Sequence, residues 1–216
     1  MIIAQISTIP GREQMLKNTV HSLINQVDRL RVVLNYEKVP TGLEGCEIMH
    51  LNNHKGDAGK TYELPREGYI FLCDDDLIYP PDYVNVMIHR LESEKNKIIL
   101  TCHGRIMREK PVANSYTDRL AAFHCLKTEI YDGPLSIGGT GVMAFNTDYF
   151  FPDYAHVKSK NMLDIWVAKF AHEQLCTIKL QPHNEGWILY QNPEHTIWDD
   201  AFFNPTEQTE LYNSFL

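Results

Sequence analysis

The stretch Tyr69–Pro81, Tyr-Ile-Phe-Leu-Cys-Asp-Asp-Asp-Leu-Ile-Tyr-Pro-Pro, limits the possible folds more than any other part of the chain. Five apolar residues followed by three aspartates form the pattern of a buried strand that leaves a sheet and delivers carboxylates at its carboxyl end. Open α/β sheets bind ligands at that edge. In extended chain Asp74 and Asp76 would point to one side, roughly 6.5–7 Å apart, and Asp75 to the other. Two carboxylates at about 6 Å repel by roughly 2–3 kcal/mol at an effective dielectric near 20, a cost that a divalent cation removes. The competing use is a solvated turn whose acids favour the helix start suggested by Pro80, Pro81 and Asp82.

The flanking pattern supplies the sheet. Ile2–Ser7 reads as a first strand and Thr8–Arg12 as the loop leaving its carboxyl end. Leu16, Val20, Leu23, Ile24 and Val27 recur on one helical face. Leu30–Asn35 is then a second strand, parallel to the first by right-handed crossover, which sets Asn35 beside the first loop. Cys46–Leu51 and Tyr69–Cys73 follow as strands, then a helix carrying Val84, Met87, Ile88 and Leu91, then the strand Ile98–His103. Beyond His103 the periodicity loosens. Phe123–Leu126 and Val142–Phe145 read as strands framing Asp132–Gly141, whose four glycines point either to close backbone approach to a ligand or to an irregular loop. Asn161–Glu173 reads as a helix with Leu163, Trp166, Val167 and Phe170 on one face, and Cys176–Leu180 as a last strand. The tail, with His183, Trp187, His195 and Trp198, has little periodicity and is expected to wrap the surface. The expected class is α/β, an open, mainly parallel sheet flanked by helices in one domain over 1–216.

Composition narrows the partners. The 216 residues are 44% hydrophobic and 22% charged, enough for one good core. The net charge is −8 with no Lys/Arg stripe, which argues against nucleic-acid and membrane-surface binding. An anionic substrate therefore needs a metal or locally placed cations. The five cysteines (Cys46, Cys73, Cys102, Cys125, Cys176) are odd in number and mostly in apolar runs, as expected of buried thiols in a reducing compartment. Without a basic and apolar leader or any long apolar span, the expectation is a soluble, cytoplasmic protein without a transmembrane segment.

Gly56-Asp-Ala-Gly-Lys-Thr61 brings a phosphate-binding P-loop to mind, but that motif needs a glycine five residues before Gly59, where His54 stands. What remains is a turn whose amides and Lys60 face a ligand at the same sheet edge, or a capped turn with a solvated lysine.

Taken in order, Ser7-Thr-Ile-Pro-Gly-Arg12, Gly56-Asp-Ala-Gly-Lys60, Phe71–Asp82, Gly138-Gly-Thr-Gly-Val142 and Leu163-Asp-Ile-Trp166 resemble a small glycosyltransferase of the GT-A fold, of the family 2 type, over roughly Ile2–Trp187. The resemblance implies a Rossmann-like nucleotide-sugar-binding half over 1–103, an acceptor and catalytic half with a small lobe over 104–180, and a tail or lid over 181–216. It implies that Thr8, Pro10 and Arg12 edge the base, with Asn35 where the family often has an acid. It places Asp57, Lys60, Asp74 and Asp75 on the donor, with Asp74 near the ribose. Asp76 would hold Mn2+ or Mg2+ on the diphosphate, with His183 completing the metal shell. His103, Gly139 and Gly141 would lie on the acceptor side. Asp164 matches the family's catalytic carboxylate, although Leu163 stands where the usual pair begins with Glu. The implied activity is metal-dependent, inverting transfer of a sugar from a nucleotide-sugar, expected to be a UDP-sugar, to a hydroxyl acceptor such as a glycan or lipid-linked glycan.

Each assignment has a bland counterpart. If Asn161 caps its helix, Asp164 is a third-position acid favoured by the dipole and able to reach back to the cap. His183 in a polar tail and His103 after a strand are equally readable as surface or core histidines. At the level of function the rivals are a nucleotidyltransferase acting on sugar phosphates, for which Thr8–Arg12 is a short loop with one glycine, and a non-catalytic nucleotide- or sugar-binding module.

Overall fold

The computed structural model describes residues 1–52, 54–95, 97–193 and 205–215. The apolar runs form the strands that their patterns predict. β1 (Ile2–Thr8), helix α1 (Glu13–Leu23) and β2 (Arg29–Leu34) make the first parallel unit, followed by β3 (Glu47–His50) and a 3-10 turn at Gly56–Thr61. β4 (Tyr69–Asp74), the short β5 (Leu77–Ile78), α2 (Tyr83–Ser93) and β6 (Ile98–Thr101) come next. After β7 (Gly104–Met107), β8 (Arg119–Phe123), β9 (Pro134–Leu135), β10 (Ile137–Gly138) and β11 (Val142–Asn146), the chain forms α3 (Leu163–Glu173), β12 (Thr177–Leu180), β13 (Leu189–Tyr190) and α4 (Thr206–Asn213).

The main sheet has eight strands in the order β3-β2-β1-β4-β11-β6-β12-β9. β3, β2, β1 and β4 are mutually parallel, as are β6 and β12, while β11 runs against both β4 and β6. The open, mainly parallel sheet flanked by helices that the alternation of elements predicts is therefore the observed one. Two strands break the parallel run: β11, because the chain enters it at the edge where β4 and β6 end, and the short edge strand β9, which runs against β12.

Both faces of the sheet are covered. Ile3, Ile70, Leu72, Met143 and Phe145 pack on one face with α3 residues such as Leu163 and Val167. Ala4, Ile6, Phe71, Cys73 and Ala144 pack on the other with Leu16, Val20, Met87 and Leu91 of α1 and α2. This alternation along single strands is the period-2 signature of a strand buried on both sides. Ile70, Phe71 and Leu72 are completely inaccessible, each worth about 1.5–3 kcal/mol of transfer free energy, so the base of the aspartate turn is rigidly held.

Four local expectations change. β8 ends at Phe123, where a strand over Phe123–Leu126 was expected; the ladder with β7 stops there, and His124 and Cys125 turn away. The helix expected from Asn161 begins at Leu163, with Met162 at its cap and Asn161 at φ +56. The strand Leu180 is not the last, because β13 pairs antiparallel with β5 just past the aspartates. β7, β8 and β10 form a separate three-stranded antiparallel sheet, the small lobe beyond the main edge. His195 and Trp198 lie outside the described residues.

Candidate active site

The three aspartates reach the edge as the β4 pattern demands, but the strand stops at Asp74 and a turn takes over. Thr19 on α1 fixes that turn by donating its hydroxyl to the carbonyls of Asp75 (3.0 Å) and Leu77 (2.6 Å). The alternation of side chains expected past Asp74 is therefore lost. Asp75 and Asp76 converge on one guanidinium nitrogen of Arg12, at 2.7 and 3.3 Å, while Asp74 accepts from Lys60 Nζ at 2.5 Å. Asp75 is turned inward and also accepts from Thr8 Oγ1 at 2.6 Å. Of the three side chains Asp74 is the open one, 42% exposed against 4% for Asp75 and 14% for Asp76. Thr8 and Arg12 thus fasten the first loop to the aspartates, and Pro10 stands exposed between them.

Asn35 follows β2 directly and lies beside this loop. Its amide N–H donates to the Thr8 carbonyl (3.0 Å), and its side chain donates to Ser7 Oγ (2.9 Å) and the same carbonyl (3.0 Å). Ser7 pairs with Asp74 across the β1–β4 ladder, so the ends of three strands meet here.

The Gly56–Thr61 turn is stapled to β1 by Gln5, whose side-chain amide donates to the carbonyls of Gly59 (3.1 Å) and Tyr62 (2.8 Å). Gly59 sits so close that a Cβ there would lie 2.4 Å from Ser7 Oγ. This approach delivers Lys60, 4% exposed, to Asp74. Burial opposes the charge on Lys60, but Asp74, Asp57 and Asp164 together hold its pKa above the ordinary lysine value. Asp57, in the same turn, accepts the Leu163 amide at 3.1 Å and so caps α3. Its other oxygen is buried with no hydrogen-bond partner among the described residues. Burial pushes Asp57 up to about 7, with Lys60 partly countering and Asp164 adding to the rise.

On the far side, Gly138–Gly141 leads into β11. Gly141 lies against the first aspartate, since a Cβ there would fall 1.8 Å from Asp74 Oδ2. Tyr79, 2% exposed, locks this contact by accepting the Asp74 amide at 2.9 Å and donating to the Gly141 carbonyl. Gly139 packs on His103, where an added Cβ would lie 3.0 Å from the ring. Between them, Thr140 donates both its amide (2.8 Å) and its hydroxyl (2.7 Å) to Asp164 Oδ1. Asp164 therefore does not reach back to its own helix start. Its Oδ2 is left without a hydrogen-bond partner among the described residues.

His103 is neutral at ordinary pH, because burial and then the neighbouring His124 pull its pKa down to about 4. His183 is 9% exposed; its Nδ1 lies 2.8 Å from the Gln181 carbonyl, and its Nε2 is buried without a hydrogen-bond partner among the described residues. The Gln181 carbonyl can only accept, so Nδ1–H donates to it, and in the neutral ring Nε2 carries the lone pair. The chain then returns over the aspartates. Trp187 Nε1 donates to Asp82 at 3.0 Å, and the Gln191 amide donates to the Asp76 carbonyl at 2.9 Å.

The aspartate turn suits a hard divalent cation. Burial, followed by the charges of Asp74 and Asp75, pushes Asp76 up to about 7 even though Arg12 and Lys60 partly counter it, so a further cation would lower the cost of packing these carboxylates together. Oxygen donors alone suit Mg2+ or Mn2+. Asp74 and Asp76 are the residues that would hold the ion.

Sequence reading missed Tyr79, Thr140, Thr19 and Gln5, the residues that position the others. Each looks like ordinary helix, loop or strand filling, and the one signal was the buried setting of a polar Gln5 within an apolar strand.

No family model matches the sequence, and no curated protein matches it. Solved structures do. Glucosyl-3-phosphoglycerate synthase from Mycobacterium tuberculosis, in complex with phosphoglyceric acid, superposes with a TM-score of 0.55 at 13% identity, covering 99% of this chain and 79% of that one. The 4-diphosphocytidyl-2C-methyl-D-erythritolsynthase from Anaerococcus prevotii DSM 20548 reaches a TM-score of 0.49 at 13% identity, covering 96% and 98% of the two chains. The first likeness shows the fold: the chain has the Rossmann-like α/β architecture of GT-A proteins.

Proposed function

We propose that the chain is a metal-dependent glycosyltransferase that moves a sugar, with inversion, from a UDP-sugar to a hydroxyl acceptor such as a glycan or lipid-linked glycan. One observation carries the reading. At a single sheet edge, Asp74 is backed by Lys60 and Gly141, while Asp164 hangs from Thr140 in the same turn that seats Gly141.

In this reading Asp74 and Asp76 hold Mn2+ or Mg2+, with His183 Nε2 as a further ligand. The ion, when bound, stabilises the diphosphate leaving group as a Lewis acid. Thr8, Pro10, Arg12 and Asn35 frame the base, and Asp57 and Lys60 shape the donor side. Lys60 keeps its positive charge beside the leaving group because three carboxylates surround it. Asp164 takes the acceptor proton through Oδ2 while Thr140 fixes Oδ1, which orients the base without consuming its free lone pairs. His103 and Gly139 border the acceptor. Among the described residues no helix is long and apolar enough to cross a membrane, and all five cysteines are free, which supports work in a reducing compartment such as the cytoplasm.

The test is thermal unfolding with UDP-, GDP- and dTDP-sugars, with and without Mn2+, followed by product analysis. Stabilisation by one donor that requires the cation, with release of nucleoside diphosphate on transfer, is expected. Release of pyrophosphate from a nucleoside triphosphate and a sugar phosphate would replace the reading with nucleotidyl transfer. Indifference to every nucleotide would overturn it.

A further inference from the structure

A second cluster of metal-ligating side chains lies outside the aspartate turn. β7 and β8 pair antiparallel, with Gly104 opposite Phe123, so the next step of the ladder brings His103 alongside His124. Their rings meet edge to face, with centroids 4.8 Å apart. Gly139 presses on His103 from behind and limits where that ring can go. The following residue, Cys125, turns inward to 7% exposure. One ligand atom from each of His103, His124 and Cys125 lies within 4.8 Å of the other two.

The chemistry of this group differs from that of the aspartates. It offers two ring nitrogens and a sulfur, and no carboxylate. Burial keeps both imidazoles neutral, which is their ligating form, and keeps Cys125 a thiol. Such a set disfavours Mg2+ and suits a borderline-soft ion. We propose that His103, His124 and Cys125 form a zinc-class metal site whose ligands are distinct from those of the hard-cation site. Zn–N bonds near 2.0 Å and Zn–S bonds near 2.3 Å bring tetrahedral ligand atoms to about 3.3–3.8 Å of one another, so the cluster closes by about 1 Å at its widest. His124, on the exposed side, makes that adjustment. Its Nδ1 accepts a long 3.3 Å bond from the Leu126 amide, and binding through Nε2 gives that weak bond up. The ion displaces one proton from the Cys125 thiol to solvent, both imidazoles bind uncharged, and water fills the fourth position. Occupancy fastens the start of β7 to the end of β8 and fixes the ring against Gly139.

Cobalt(II) titration of the chelator-stripped, tag-free full chain tests this without reference to nucleotide binding. One equivalent should bring up tetrahedral visible bands and a near-ultraviolet thiolate-to-cobalt band, both removed by one equivalent of Zn2+ and unaffected by excess Mg2+. Calorimetry in buffers of different ionisation enthalpy should show one proton released per ion. Cys125→Ser should abolish the thiolate band, and the control Cys46→Ser should retain it. His124→Ala, at an exposed position that does not endanger folding, should weaken cobalt binding at least tenfold. A wild-type spectrum without a thiolate band, a band that survives in Cys125→Ser, or unchanged affinity in His124→Ala overturns the proposal.

Discussion

Asp57→Asn isolates the cost of the buried acid that joins the Lys60 turn to α3. In the folded chain Asp57 titrates at about 7, against an ordinary 3.8, because burial outweighs the attraction of Lys60. Below about pH 4 the carboxyl is protonated folded and unfolded, and it contributes nothing to the pH dependence. Between about 4 and 7 the unfolded chain loses this proton while the folded chain keeps it, so stability falls as pH rises. Above 7 the full cost is in place: at about 1.4 kcal/mol for each pH unit, roughly 4 kcal/mol. Asparagine removes the titration and retains an oxygen for the Leu163 amide, which Asp57 Oδ2 now accepts at 3.1 Å. Urea unfolding of both proteins from pH 4 to pH 8 should show the variant gaining on the wild type by several kcal/mol across that range, with unchanged m-values. A difference constant to within about 0.5 kcal/mol would refute the assignment of the raised acid to Asp57.

Asp164→Asn should keep both Thr140 bonds through its amide oxygen, cost less than about 1 kcal/mol of stability, leave donor affinity unchanged and slow transfer by roughly a hundredfold or more; near-wild-type turnover at saturating substrates would remove the base assignment. Asp76→Asn should abolish manganese-dependent nucleotide binding, measured calorimetrically, while the protein still folds, since the change deletes one of three crowded carboxylates; wild-type manganese affinity would sink the metal reading. Hydrogen exchange over Gln181–Gln191 should slow when donor and metal bind, because that segment already docks on the aspartate turn; unchanged protection would count against a lid.

How much of this was readable follows from what each signal depends on. Tyr69–Asp74 was legible because five apolar residues before three acids fit only a doubly buried strand ending at a sheet edge. The first βαβ unit, including Asn35 beside the Thr8 loop, followed from helical periodicity and crossover handedness. The reversal of β11 was not legible, because a run such as Val142–Phe145 is equally apolar in either direction. Nor was the helix start: Asn161 is a good capping type, but Asp57, far away in sequence, takes that role and leaves Asn161 in a left-handed conformation. The role of Thr140 was hidden for the same reason. A threonine between glycines declares nothing until the fold brings Asp164 to it.

The chain leaves the sheet after β6 and comes back beside β6 at β11, touching the sheet on the way where β9 pairs with β12. The two ends of this excursion are tied at the base, the Gly139 amide donating to the His103 carbonyl at 2.8 Å. An excursion of this kind is a bay rather than a span: the pairing of β6 with β11 does not depend on how far the chain travels between them. Doubling the length of a flexible segment within it would cost only about 0.6 kcal/mol of closure entropy. The lobe's exposed turns can therefore be lengthened while the register that holds the three aspartates stays as it is, whereas β9 on β12 and the buried Met107, Val112, Leu135 and Ile137 fix the rest.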